Sequence, residues 1–79
     1  LIGKAFAIGE VVNVRDVRKE LIYLAKVPGV LSEICVPIRV GDKALGILDA
    51  QAGKIGAFTP DAEIFLETVA RLIAPVLQP

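Results

Sequence analysis

Ser32 to Gln51, SEICVPIRVGDKALGILDAQ, reads as two strands joined by a tight turn, and both faces of those strands are mostly apolar. An antiparallel hairpin open to water on one side alternates apolar with polar residues, whereas near-continuous apolar strands are covered on both sides. This hairpin therefore needs two layers of cover. Gly41-Asp42 forms its tip, and glycine in the first central position suits a type II′ turn, whose twist matches the flanking strands. Two registers follow from that tip. A regular two-residue loop sets Cys35 opposite Leu48 and Glu33 opposite Ala50, with Glu33 and Asp49 on opposite faces. One extra residue, or a bulge, brings Glu33, Asp49 and Gln51 onto one face.

Downstream of the hairpin, the sequence has the grammar of a helix. Thr59 is an N-cap, Pro60 fits the first helical position where its missing N–H costs nothing, and Asp61 and Glu63 lie at the positive end of the dipole. Ala62, Phe65, Leu66, Val69, Ala70, Ile73 and Val76 recur at three and four, a stripe that covers one face of the hairpin with Phe65 as its anchor. Pro75 should kink or end this helix near Ala74. Upstream, Leu1–Ile8 reads as a short helix leaving through Gly9, Glu10–Val14 as a short strand, and Arg18–Lys26 as one or two helical turns before Pro28-Gly29. These short pieces are thin cover for the second face and leave space there for a small molecule.

Composition narrows the function. The chain has 79 residues, one cysteine and no histidine, so it has no internal disulfide and no Cys/His zinc set, and neither metal nor cofactor is expected. A chain this short buries only a little over ~60% of its unfolded surface, so its stability is marginal without a partner. Nine basic residues balance nine acidic ones, which argues against nucleic acid, whose binders carry a basic stripe. The apolar runs fall short of the ~20 residues that span a bilayer. The expectation is a cytoplasmic protein without membrane contact. Because it opens at Leu1 without an initiator Met, it reads as a piece of a longer chain.

The order of these elements, with SEICVPI, VGDKALGILDAQ and GAFTPDAEIFLETVARLIAPVL in sequence, closely resembles the C-terminal half of GAF domains, the small-molecule sensing modules of bacterial signalling proteins. The resemblance covers nearly the whole chain. It implies an α+β fold: one partial domain over residues 1–79, its antiparallel sheet carrying a long C-terminal helix on one face and short helices and loops on the other. The helix and strands that begin such a domain are not found ahead of Leu1. The resemblance further implies a regulatory, non-catalytic role with an unidentified small-molecule ligand, and a homodimer formed through the terminal helix.

Cyclic-nucleotide relatives carry an Asn-Lys-Phe-Asp-Glu signature whose Asn-Lys pair has no match here, and bilin or haem carriers need histidines this chain lacks. A second expectation comes from free methionine sulfoxide reductases of the same fold, whose carboxylates match Glu33 and Asp49. Gln51 stands where those enzymes have another acid, and their reducing cysteines are missing. A third is a degenerate dimerisation module. The candidate ligand-binding residues are Asp16, Tyr23, Glu33, Cys35, Asp49 and Gln51, although a free cysteine in an apolar strand is ordinarily a small buried hydrophobe.

Overall fold

The computed structural model describes residues 2–19 and 28–78. In chain order these form helix α1 (Ile2–Ile8), strand β1 (Val12–Val14), a 3₁₀ turn (Val17–Lys19), strands β2 (Ser32–Val40) and β3 (Lys43–Ala52), and helix α2 (Pro60–Leu77). The turns expected over Arg18–Lys26 fall mostly outside the described residues, and their first part belongs to the 3₁₀ turn. The sheet is antiparallel with order β1-β2-β3. Being the middle strand, β2 is buried from Ser32 through Ile38, which explains why neither of its faces is polar. Among the described residues no helix is long and apolar enough to cross a membrane.

Local chemistry sets the element ends. Gly9 closes α1 at φ 67°, its N–H donating to the Ala5 carbonyl at 2.9 Å, a left-handed exit that costs glycine nothing. Gly41 has φ 58° and no non-glycine residue described has positive φ, a pattern that fits the type II′ turn and excludes type I′. At the start of α2 the Ala62 N–H donates to Thr59 Oγ1 at 3.3 Å and the Glu63 N–H to the Thr59 carbonyl at 2.9 Å. Thr59→Ala should therefore cost about 1 kcal/mol in urea denaturation, and a loss under ~0.3 kcal/mol would show that the cap contributes nothing.

The core lies between the sheet and α2. Ile34, Val36 and Ile38 project from β2 against Ala70 and Ala74, with Leu48, Ala50, Phe58, Leu66 and Ile73 packed around them. Small residues on the helix let it approach the sheet closely. This moves the contact line away from the centre of the apolar stripe read from sequence: Phe65 is 66% and Val76 81% exposed. Phe65 lies five residues from Ala70, roughly 140° around the helix, so both cannot face the sheet. Phe65 is consequently not the anchor. Nor does α2 end near Ala74, since it runs to Leu77 with Gln78 as C-cap. Pro75 is exposed and sits in the last turn, where water can satisfy the Arg71 carbonyl it leaves unpaired.

Candidate functional site

The register of the hairpin decides what the second face of the sheet carries. Val40 pairs with Lys43 across the two-residue tip and Arg39 with Ala44, but Ile38 pairs with Gly46, so Leu45 is an extra residue in β3. This bulge shifts every later pair by one: Cys35 stands opposite Asp49 and Glu33 opposite Gln51. Of the two registers open to the sequence, the structure has the bulged one. Even-numbered β2 residues then meet α2, while Glu33, Cys35, Asp49 and Gln51 share the other face, bordered by Val12 and Val14 of β1.

On that face the four side chains form one hydrogen-bonded group. Gln51 Nε2 donates to Glu33 Oε2 at 3.1 Å and to Asp49 Oδ2 at 3.4 Å, and the Cys35 thiol donates to Asp49 Oδ1 at 3.3 Å. Glu33 is only 4% exposed, whereas Asp49 and Gln51 lie open to solvent. Burial pushes the Glu33 carboxyl above its ordinary value and neighbouring Asp49 adds to this, with the Gln51 amide opposing. Burial, reinforced by the Asp49 carboxylate, drives the Cys35 thiol up to about 12. Such a thiol stays protonated at neutral pH and is a poor nucleophile.

This is a patch of converging acceptors with one neutral amide between them. Its chemistry suits a cationic group, above all an ammonium with donors to place between two carboxylates. One donor atom from each of Glu33, Cys35 and Asp49 lies within 4.8 Å of the others. A metal ion there would have to displace the firmly held Cys35 proton, so the group is better matched to a hydrogen-bonding cation.

Asp16 makes no hydrogen bond to this group. Asp16 is engaged locally: Arg18 donates to Oδ1 through Nε and to Oδ2 through Nη2, both at 2.9 Å, and through its backbone N–H at 3.1 Å. The side-chain bonds to Arg18 hold the Asp16 carboxyl down at about 2. Tyr23 lies outside the described residues. Sequence reading missed Asn13, whose Nδ2 donates to the Phe58 carbonyl at 3.0 Å and ties β1 to the entrance of α2. No local signal links residues 45 positions apart.

The family model of the GAF domain matches residues 2–77. Among solved structures, the type II free methionine-R-sulfoxide reductase from Thermoplasma acidophilum is similar with 34% identity and a TM-score of 0.90, over 96% of this chain and 54% of that one. The free methionine-R-sulfoxide reductase from Neisseria meningitidis, solved in complex with its substrate, has 28% identity and a TM-score of 0.86, over 95% of this chain and 45% of that one. The GAF domain from Acinetobacter phosphoenolpyruvate-protein phosphotransferase has 26% identity and a TM-score of 0.83, over 98% of this chain and 46% of that one. The comparison with curated proteins found no match. The chain thus spans only part, 45 to 54%, of these three structures. Because the family match begins with the first residue of α1 and ends with the last of α2, taking in every element of the fold, the chain belongs to the GAF domain family.

Proposed function

We propose that this chain is the ligand-sensing part of a regulatory GAF domain, receiving a small molecule through an ammonium or similar cationic group on the Glu33–Asp49 face, with no catalysis by its own residues. One observation carries this reading: a carboxyl group is buried beside a second carboxylate, an arrangement that costs stability and that a bound cation would relieve. A second reading, a free methionine-R-sulfoxide reductase, draws support from the similarity to the two reductase structures. Against it stands the chemistry of Cys35. Reducing a sulfoxide to a sulfide takes two electrons, which a pair of thiols supplies by closing a disulfide. Cys35 is the one cysteine in the sequence and is held protonated.

Free methionine-R-sulfoxide separates the two. The full chain, with dithiothreitol present, should show saturable binding or a ligand-induced rise in Tm with methionine sulfoxide or another primary ammonium compound. Cys35 should react with a disulfide reagent at pH 8 much more slowly than an unfolded control does. Formation of methionine with turnover would overturn the non-catalytic reading, and no response to any ammonium compound would overturn the sensing one. The assembly follows the same family logic. Phe65, Leu72 and Val76 form an exposed apolar row on α2, Leu72 being 73% exposed, and we propose that this row meets its copy in a homodimer. Sedimentation as a monomer at high concentration would refute that.

A further inference from the structure

A cleft of about 420 Å³ opens where β1 stops, and none of Glu33, Cys35, Asp49 or Gln51 lines it. β1 pairs with β2 only as far as Val12 opposite Cys35. Beyond that pair the link from α1 to β1 runs past β2 without pairing, and α2 forms the remaining wall. The lining combines apolar side chains, Val36 and Ala70 among them, with four charged ones: Glu10 from the link, Arg39 from β2, and Glu67 and Arg71 from α2. Glu67 and Arg71 are four residues apart and so lie on one side of the helix.

These charges are not spent on each other. Neither guanidinium has a nitrogen within 4.0 Å of a carboxylate oxygen of Glu10 or Glu67. Arg71 instead donates through Nη2 to Thr68 Oγ1 at 3.2 Å. Two cations and two anions around one concave, partly apolar space complement a ligand that also bears both signs. A guanidinium fork matches a carboxylate in two parallel hydrogen bonds, and a carboxylate side chain matches an ammonium. A ligand of one sign would meet a like charge on the opposite wall. The volume lies within the roughly 300–1,000 Å³ typical of small-molecule sites.

We propose that this cleft is a second binding site, for a small zwitterion carrying one ammonium and one carboxylate, of amino-acid or dipeptide size. It shares no lining residue with the Glu33–Asp49 group, so occupancy of one leaves the polar groups of the other free. L-Alanyl-L-alanine is the probe, titrated into the full chain with amide resonances followed by NMR. The Val36, Ala70 and Arg71 signals should shift saturably, and either Arg39→Gln or Arg71→Gln should weaken that response about tenfold, whereas Glu33→Gln should leave it unchanged. The N-acetylated and C-amidated dipeptides should each bind at least about tenfold more weakly, the low end of what one charge-assisted hydrogen bond contributes. Absence of shifts at these residues, equal binding of the blocked peptides, or indifference to both arginine substitutions would overturn the proposal. Failure of ammonium binding at Glu33 would leave it standing.

Discussion

Ile34→Ala should destabilise the domain by about 3–4 kcal/mol, the upper half of the range for truncating a buried aliphatic side chain. Ile34 is completely buried in β2, facing α2. What surrounds it decides the size of the effect. Its β3 partner is Ala50 and the buried helix residues are Ala70 and Ala74, short side chains that cannot swing into the space left behind, so collapse falls to the larger Leu66, Phe58 and Ile73 around them and part of the cavity persists. In a domain of this size the loss should lower Tm by more than ~12 °C. Phe65→Ala, by contrast, removes a larger side chain from a position that is mostly in water and should change stability by less than ~0.5 kcal/mol in the monomer. Urea unfolding of both variants gives the comparison. If Phe65→Ala proved the costlier at a concentration where the chain is monomeric, α2 would have to pack on the sheet through its other side.

Glu33→Gln should do two opposite things, weakening ligand binding while raising stability. The Glu33 carboxyl titrates above its ordinary value in the folded protein, so the folded state holds the proton more tightly than the unfolded one. Its contribution to stability is therefore fully present below the unfolded pKa, near 4.5, and is lost as pH rises through the folded value. Glutamine keeps the shape and removes the charge that costs stability. The variant should melt a few degrees higher at pH 7 and match the wild type near pH 4, which a Tm-against-pH series would reveal. Affinity for a primary ammonium ligand should fall by ~30-fold, about 2 kcal/mol, with the loss of a charge-assisted hydrogen bond. A variant less stable at pH 7 but unchanged in binding would make Glu33 a structural residue. The expected trade of stability for binding is the mark of a functional site.

What the sequence made legible was local. Thr59-Pro60 at the head of α2, Gly9 at the tail of α1 and Gly41-Asp42 at the hairpin tip each act within a few residues, and each is found where the sequence set it. The order of these pieces was enough for the α+β fold and the family. Two features were out of reach for physical reasons. The strands are apolar on both faces, so no alternation was available to choose between registers, and the bulge at Leu45 had to come from the structure. The seven apolar positions read on α2 span an arc of roughly 140°, with Phe65 at one edge and Ala70 at the other, so the pattern could not say that Ala70 and Ala74, rather than Phe65, meet the sheet. The candidate site was half legible. Glu33, Asp49 and Gln51 stood out as polar residues in apolar strands, whereas their grouping with Cys35 depends on pairing that no single residue announces.

The extra residue in β3 has a consequence for how this hairpin tolerates changes of length. Excising Leu45 would leave a regular two-residue hairpin in which Cys35 still faces Asp49 and Glu33 still faces Gln51, because the bulge absorbs one residue that the register does not use. Adding or removing one residue between Gly46 and Asp49 has no such outlet and would turn the two carboxylates towards opposite sides of the sheet. Length variation among sequences of this type should therefore gather at the hairpin tip and avoid the three residues before the aspartate, a pattern of insertions and deletions that follows from one unpaired leucine.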